Sequence, residues 1–329
     1  MKTDIHQHLW TAPLVEALSH RRELPFIRRE HGLTVLFLAG EQPYVIDLDA
    51  EAPARRAKLV ARDGLDRALV CLSSPLGIET LPREAGAELI DAYHEGALAL
   101  GEPFGVWGAL ALDRPDPDDV SRALDRGCVG ISLPAGALGS VDMLARLSPV
   151  LARIQARGAP LFVHPGRGTR QPTHESSLGD PLWWPALTHY VAEMHAAWFL
   201  VASVARRAFP ELRVIFAMLA GLAPLHTERL RARGGPLTRK ADPMIFYDTS
   251  SYGPQAVDLM ERVVGVDQLV YGSDRPVVDP DVHGGRAALD WELFAESSER
   301  TFAPVRETVR VLARSAHPRR VAVLAKVGT

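Results

Sequence analysis

The chain opens with Lys2-Thr3-Asp4-Ile5-His6-Gln7-His8, a short strand-like segment that carries two histidines. Successive side chains of a strand point to opposite faces, so His6 and His8 share one face while Ile5 and Gln7 share the other. Two imidazoles on one face at the end of a strand can bind a metal ion. Taken alone, the segment fits equally well a pair of unrelated surface histidines.

The length and composition of the chain favour one globular domain. With 329 residues, of which 47% are hydrophobic and 23% charged, the chain has the size of a single α/β barrel with insertions. We therefore expect one domain over residues 1–329. The formal net charge of −3 supplies no basic surface, so nucleic acid is not an expected partner.

The cysteine content and the hydropathy pattern bear on location. Cys71 and Cys128 stand among apolar residues and are interpreted as small core residues. Two cysteines do not form a disulfide scaffold, which is typical of a reduced compartment. The sequence shows neither a basic segment leading into an apolar stretch nor an uninterrupted apolar run of about 18 residues. We therefore expect a cytoplasmic protein without a membrane partner.

Eight short apolar runs recur along the chain, separated by segments of helical period such as residues 83–100, 117–126, 143–157, 184–208 and 255–264. The runs are residues 2–9, 67–72, 104–110, 128–133, 160–164, 212–218, 244–248 and 268–274. Near-continuous hydrophobicity is typical of parallel strands covered on both faces. The alternation predicts an α/β fold, a (β/α)8 TIM barrel. A doubly wound open sheet is the alternative, but no glycine-rich phosphate-binding motif follows the first strand.

Residues 24–49 interrupt this alternation after the first strand. Residues 34–38 and 44–48 flank the turn-like segment 39–43, which predicts an inserted β-hairpin. An insertion at that point lies on the carboxyl-terminal rim, where loops of such barrels bind substrate. A purely structural hairpin is the alternative.

Potential metal ligands stand at the ends of three predicted strands. His6 and His8 end the first, His164 ends the fifth, and Asp274 ends the eighth. In a parallel barrel the carboxyl ends of the strands meet at one rim, so we expect these side chains to lie close together. Three imidazoles and a carboxylate suit zinc, or iron, cobalt or manganese.

These motifs resemble the amidohydrolase superfamily, and more narrowly its amidohydrolase-related branch, which contains aminocarboxymuconate semialdehyde decarboxylase and the aromatic acid decarboxylases. The resemblance covers roughly residues 1 to 285. It is carried by the opening His-x-His and by His164-Pro165-Gly166, Tyr247-Asp248-Thr249-Ser250 and Gly272-Ser273-Asp274-Arg275-Pro276. It implies one divalent metal ion held by His6, His8, His164 and Asp274, with Asp274 moving a proton of the water bound to that ion.

The chain departs from this pattern at the sixth strand. The decarboxylase branch typically has a histidine where this chain has Met218, and methionine cannot transfer a proton. Three hypotheses follow. In the first, Asp274 alone transfers the proton. In the second, another histidine takes the place of the missing one: His226, or His189 or His195. In the third, the barrel binds a metal without catalysis.

Side chains next to the predicted ligands are candidates for substrate binding. Arg167, Arg170 and Arg275 follow the fifth and eighth strands, and a guanidinium suits a carboxylate. For Arg275 a salt bridge that fixes the loop is an equal alternative. Trp183 and Trp184 could wall an apolar substrate or pack in the core.

The sequence therefore predicts a metal-dependent hydrolase that uses metal-bound water on a small, carboxylated or cyclic molecule, with Asp274 as the base. One alternative is a non-oxidative decarboxylase of an aromatic or enoic acid, against which Met218 counts. The other is a non-catalytic metal- or ligand-binding barrel. The expected partner is a small-molecule substrate, and a homodimer is compatible with the resemblance. Residues 290–329 are expected to form helices that close the barrel.

Overall fold

Eleven strands are present in the computed structural model, which describes residues 1–170, 180–236, 241–280 and 291–302. They are β1 (Thr3–Gln7), β2 (Phe26–Glu30), β3 (Leu33–Phe37), β4 (Tyr44–Ile46), β5 (Arg67–Val70), β6 (Phe104–Gly108), β7 (Gly130–Pro134), β8 (Leu161–His164), β9 (Val214–Phe216), β10 (Ile245–Asp248) and β11 (Leu269–Val270). Eight of them form a parallel sheet in the order β1-β5-β6-β7-β8-β9-β10-β11. Each corresponds to one of the eight apolar runs, so the predicted barrel is confirmed.

The two ends of the eight-stranded sheet meet through backbone hydrogen bonds. Ile5 donates its amide to the carbonyl of Tyr271 at 3.0 Å, and His8 donates to the carbonyl of Arg275 at 2.7 Å. Gln7 and Arg275 form an isolated parallel bridge. This irregular seam nearly closes the barrel beside the His6 and His8 side chains.

The helices surround the sheet. They are α1 (Ala12–His20), α2 (Pro53–Arg62), α3 (Arg83–Leu98), α4 (Pro117–Asp125), α5 (Val141–Ala156), α6 (Trp184–Leu200), α7 (Arg206–Ala208), α8 (Thr227–Ala232), α9 (Pro254–Val264) and α10 (Trp291–Ser297). Local capping fixes several starts: Asp116 accepts from the amide of Asp118 before α4, and Ser140 accepts from that of Met143 before α5. The helix expected over 184–208 is interrupted by a π-helical turn, Val201–Ala205. None of the helices in the described parts of the chain is long and apolar enough to cross a membrane.

Aromatic rings fill the barrel from its amino-terminal end towards the metal ligands. Phe302 lies 5.8 Å from Trp107, Trp107 stacks on Phe162 at 5.2 Å, and Phe162 lies 5.1 Å from His6. Trp107 and Phe162 are fully buried. This stack packs against the site on the amino-terminal side of the barrel and excludes water from that side.

The insertion after β1 is larger than the predicted hairpin. β3 pairs antiparallel with β4 as expected, but β2 adds a third strand through Phe26–Phe37 and Ile27–Leu36 pairs. His31 (φ 50°) and Gly32 (φ 80°) form the tight turn that joins β2 to β3. The helix α1 precedes this sheet and was not predicted.

The chain after residue 290 is described only in part. α10 packs on β11 and β1, and a 3₁₀ turn follows over Ser298–Thr301. Thr3 donates to Glu299 at 2.9 Å, which ties this turn to β1. The expected closure by helices thus fits these residues, while residues 303–329 lie outside the described ones.

Candidate metal centre

Three strand ends bring the predicted ligands together. β1 contains His6 and ends beside His8, β8 ends at His164, and Asp274 follows β11. The ring centroids of the three histidines lie 4.9 to 5.1 Å apart. His6 and His8 thus share one face, as the strand pattern predicts, and His164 completes a ring of three imidazoles.

The ligand atoms have the spacing of donors to one ion. His6 Nε2 lies 3.3 Å from His8 Nε2, and Asp274 Oδ1 lies 3.4 Å from the first and 3.2 Å from the second. Two donors at about 2.1 Å from a shared cation stand about 3.0–3.4 Å apart. The side chain of Asp274 is 13% exposed, against 2% for His6 and 5% for His8, so Asp274 marks the side open to solvent.

The Nδ1 atom of each histidine is occupied, which turns Nε2 towards the centre. His6 Nδ1 lies 2.8 Å from Asp248 Oδ2, His8 Nδ1 lies 3.0 Å from the carbonyl of Cys71, and His164 Nδ1 lies 2.7 Å from that of Pro165. Carbonyl and carboxylate oxygens only accept, so Nδ1 carries the proton and Nε2 is left with a lone pair. Three buried lone pairs that face each other repel one another and are stabilised by a cation between them. The residues present therefore fit a divalent metal ion.

The electrostatics of His6 and His8 favour positive charge. Burial alone would lower the pKa of His6, but Asp274 and Asp248 outweigh it and raise this pKa well above its ordinary value. For His8, burial is again outweighed, by Cys71 and Asp274, and the pKa rises to about 9. A divalent cation would take the place of these protons.

His164 and Asp274 shift in the opposite direction. Burial, together with the charges of His6 and His8, holds the pKa of His164 well below its ordinary value. Burial would raise the pKa of Asp274, but the three imidazoles lower it to about 2. The centre therefore presents a neutral imidazole and an ionised carboxylate near neutral pH.

Asp248 connects His6 to the segment around Met218. Asp248 Oδ1 accepts from the amide of Met218 at 2.8 Å and from the amide and hydroxyl of Ser250 at 2.9 and 2.5 Å. Met218 has φ 43° and starts a run of left-handed residues up to Leu222 (φ 67°). At the position of the missing histidine, the backbone amide of Met218 thus supports the carboxylate that orients His6.

Gly272 allows the eighth strand to approach this carboxylate. A Cβ atom at Gly272 would lie 2.7 Å from Asp248 Oδ2 and 2.9 Å from His6 Cβ, closer than atoms can pack. Glycine at position 272 is therefore needed for the close contact of the segment after β11 with His6 on β1 and Asp248 on β10.

Cys71 also lies at the centre. It directly follows β5, is 2% exposed, and its Sγ lies 3.5 Å from His8 Nδ1. The potential ligand atoms of His6, His8, Cys71 and His164 all lie within 4.8 Å of one another. The sequence correctly indicates a buried cysteine but gives no sign that it adjoins the histidines.

A cavity on the rim beyond β8 holds Arg167 and two carboxylic acids. It is lined by Arg167, Glu41, Tyr190 and Glu193, among others. Glu193 accepts from the amide of Gly166 at 3.0 Å, and burial raises the pKa of Glu193 to about 7. Tyr190 donates to Glu41. The cavity therefore offers a cation and a carboxyl group that exchanges a proton near neutral pH.

The predicted arginines differ in their surroundings. Arg167 donates to the carbonyl of Ala39 at 3.0 Å and so joins the rim to the insertion. Arg275 is 8% exposed and forms a salt bridge of 3.2 Å with Asp63. This is the salt bridge that fixes the loop, the alternative to substrate binding for this residue. Arg170 is exposed, 3.9 Å from Glu23.

The remaining candidates lie at or near the surface. Trp183 and Trp184 are 55% and 40% exposed, with ring centroids 5.8 Å apart. His226 is exposed and lies 5.2 Å from the ring of His195, whose Nε2 lies 2.6 Å from the carbonyl of Gly221. His189 lines the rim cavity. Among the described residues, the group of potential metal ligands consists of His6, His8, Cys71 and His164, and it includes none of these side chains.

Two supporting residues could have been found from the sequence only in part. Asp248 ends the seventh apolar run, and an acidic residue at a strand end is the signal used for Asp274. Glu193 lies within a helix whose apolar positions do not show which face meets the rim, so its role needed the fold.

The comparison with known proteins agrees with this architecture. IDCase of Metarhizium anisopliae, determined in apo form, matches with a TM-score of 0.69 and 15% identity over 95% of this chain and 97% of that chain. 5-carboxyvanillate decarboxylase of Novosphingobium aromaticivorans, complexed with manganese and 4-hydroxy-3-methoxy-5-nitrobenzoic acid, matches at 0.68 and 16% over 92% and 96%. 2,6-dihydroxybenzoate decarboxylase of Rhizobium matches at 0.62 and 17% over 92% and 98%.

These identities establish the fold, and the sequence itself establishes the family. The sequence profile of the Amidohydrolase family matches residues 3–310, nearly the whole chain. That span includes the strand ends at His6, His8, His164 and Asp274. The protein is therefore an enzyme of the amidohydrolase family.

Proposed function

We propose that this enzyme is a metal-dependent carboxy-lyase that removes carbon dioxide from a small aromatic or enoic acid. The observation that carries the proposal is the buried ring of three histidines, open to solvent at Asp274, in a barrel of the decarboxylase architecture. Three solved proteins that share this architecture, IDCase and the two aromatic acid decarboxylases, support the same reaction. This reverses the order of the two enzymatic hypotheses drawn from the sequence, in which hydrolysis came first.

The metal ion would be held by His6, His8, His164 and Asp274. When bound, such an ion acts as a Lewis acid that positions a carboxylate and stabilises the charge that develops on the substrate. The orientation of the ion's ligands depends on the Nδ1 contacts, above all the 2.8 Å contact of His6 with Asp248.

We assign the proton that replaces the carboxylate to Glu193, which accepts from the amide of Gly166, two residues after the ligand His164. In decarboxylation the bond between carbon and the carboxylate breaks, carbon dioxide leaves, and the electron pair stays on a carbon that then takes a proton. An acid for this step is most efficient with a pKa near the working pH. Glu193, with a pKa raised by burial to about 7, meets this condition, whereas Asp274, lowered to about 2, is ionised.

Hydrolysis is the second candidate, and Asp274 is the observation in its favour. An ionised carboxylate on the open side of the centre is suited to accept a proton from an attacking water, and Met218 offers no acid at the sixth strand. The two reactions thus use different carboxyl groups, Glu193 as an acid or Asp274 as a base.

Product analysis separates the two reactions. Protein reconstituted with zinc or manganese would be incubated with a panel of aromatic and enoic acids, and carbon dioxide release measured beside hydrolysis of an ester, lactone and amide panel. We expect carbon dioxide release, with a rate that falls as the pH rises through about 7, because Glu193 then loses its proton. Glu193→Gln should abolish this release while retaining bound metal.

A matched control is Glu88→Gln, which changes an exposed glutamate on α3. Hydrolysis of the second panel without carbon dioxide release, unaffected by Glu193→Gln, would reject the lyase in favour of the hydrolase. Inactivity on both panels with metal fully bound would favour the non-catalytic barrel.

A further inference from the structure

The thiol of Cys71 stands where a fifth protein ligand to the metal could stand. The amide of Cys71 donates to the carbonyl of Gln7 at 2.8 Å, which holds the residue against β1 between the two histidines of that strand. Its side chain is buried, with Sγ 3.5 Å from His8 Nδ1. Cys128, the other cysteine of the chain, has no place in this group.

The distances allow the thiol to reach a shared ion. The ligand atoms of Cys71 and the three histidines lie within 4.8 Å of one another. A zinc ion with Zn–S of about 2.3 Å and Zn–N of about 2.1 Å places sulfur and nitrogen about 3.6 Å apart. Sγ lies beside His8 Nδ1, on the side of that ring turned away from the centre. The side chain must therefore rotate about its Cα–Cβ bond to bring the sulfur to the ion.

Little holds the thiol away from the ion. Its hydrogen-bond partners are the carbonyl of Gln7, 3.6 Å from Sγ, and His8 Nδ1. Sulfur makes weak hydrogen bonds, whereas a thiolate is a strong ligand for zinc and cobalt. These two contacts therefore oppose rotation of the side chain only weakly.

We propose that Cys71 loses its thiol proton to solvent and ligates the metal as a thiolate, together with His6, His8, His164 and Asp274. Its sulfur then makes the centre select a thiophilic ion, zinc or cobalt, over manganese. Soft sulfur and imidazole donors favour such ions, while carboxylate and water favour manganese. The inference rests on the metal centre proposed above, and not on the reaction that the centre catalyses.

Cobalt substitution reports on the sulfur ligand directly. The protein would be freed of metal with a chelator, supplied with one equivalent of Co²⁺, and examined by absorption spectroscopy. The wild-type protein and Cys128→Ser should show a near-ultraviolet sulfur-to-cobalt charge-transfer band together with the visible bands of bound cobalt. Cys71→Ser and Cys71→Ala should keep the visible bands and lose the charge-transfer band.

Competition between metals gives a second readout. In Cys71→Ser we expect zinc affinity to fall by roughly tenfold or more, while manganese affinity changes much less. Circular dichroism of the metal-free proteins checks that each variant folds, and Cys71→Ala repeats the test with a smaller side chain should serine disturb packing.

The possible outcomes separate this inference from the proposed function. Visible cobalt bands without a charge-transfer band in the wild-type protein, or a band that persists in Cys71→Ser, would overturn the role of Cys71 and leave the histidine centre intact. Absence of any cobalt spectrum, with zinc also failing to bind, would overturn the metal centre and the role of Cys71 with it.

Discussion

His6 Nδ1 lies 2.8 Å from Asp248 Oδ2, across 242 residues of sequence, and both side chains are almost completely buried. The other oxygen of Asp248 accepts from the amide of Met218 and from Ser250. One carboxylate therefore joins the first, sixth and seventh barrel strands and fixes the direction in which His6 presents Nε2.

Replacing Asp248 by asparagine should weaken metal binding. If the amide oxygen keeps the bonds to Met218 and Ser250, the amide NH₂ faces His6 Nδ1, and the imidazole must then move its proton to Nε2, the atom needed for the metal. We expect Asp248→Asn to lower metal affinity by about 10- to 100-fold. The measurement is competition with a chromophoric chelator. Asp258→Asn, at an exposed site on α9, is the control, and equal affinities in the two variants would contradict the role of Asp248.

The positions of the metal ligands could be predicted from the sequence because they depend on few facts. Each of His6, His164 and Asp274 ends an apolar run, and parallel strands in a barrel all end at one rim. Strand periodicity alone puts His8 on the same side as His6. The register between strands was not needed for this prediction.

The contacts behind the ligands could not be predicted in the same way. The neighbours of Cys71 depend on the exact register of β5 against β1, which includes an irregularity between Asp4 and Gln7. The contact of Asp248 with His6 depends on how the barrel closes between the segment after β11 and β1. Glu193 depends on the rotation of α6 about its axis. A left-handed run starting at Met218 is not suggested by any turn-forming residue except Gly221.

Alanine at Gly272 should damage the centre. The added Cβ would meet Asp248 Oδ2 at 2.7 Å and His6 Cβ at 2.9 Å, so the eighth strand must move away from β1. We expect destabilisation of roughly 1–3 kcal/mol, as for other overpacked sites, together with weaker metal binding. Denaturant unfolding and metal titration measure the two effects.

The control for this variant is Gly253→Ala, where a Cβ meets nothing within 4 Å. If Gly272→Ala matched the control in both stability and metal affinity, the close approach of Gly272 to His6 would not contribute to either.

Metal should stabilise the folded protein. Binding only the folded state adds about 2.7 kcal/mol at a free metal concentration 100 times the Kd. We expect the melting temperature to rise by a few degrees when zinc is added to chelated protein, and the rise to disappear in His164→Ala. Differential scanning calorimetry provides the measurement. If adding zinc left the melting temperature of the wild-type protein unchanged, the buried histidines would not bind zinc.

Glu79 should make the stability depend on pH. Its side chain is 1% exposed, Ser74 donates to Oε1 at 2.6 Å, and Oε2 has no hydrogen-bond partner among the described residues. Burial raises the pKa of Glu79 from 4.5 to about 7, so the folded state binds this proton more tightly than the unfolded state. The stabilisation linked to this proton is complete below pH 4.5 and is lost as the pH rises through about 7.

We therefore expect the free energy of unfolding to fall between pH 4.5 and pH 7 by an amount that Glu79→Gln removes, on the order of 3 kcal/mol. Glutamine keeps an oxygen for the hydroxyl of Ser74 and cannot ionise. Because other titrating groups contribute equally to both proteins, the comparison is the difference between urea unfolding at pH 5 and pH 8 in each. Glu88→Gln should retain the wild-type pH dependence, and the same dependence in Glu79→Gln would mean that Glu79 ionises in the folded protein as easily as in water.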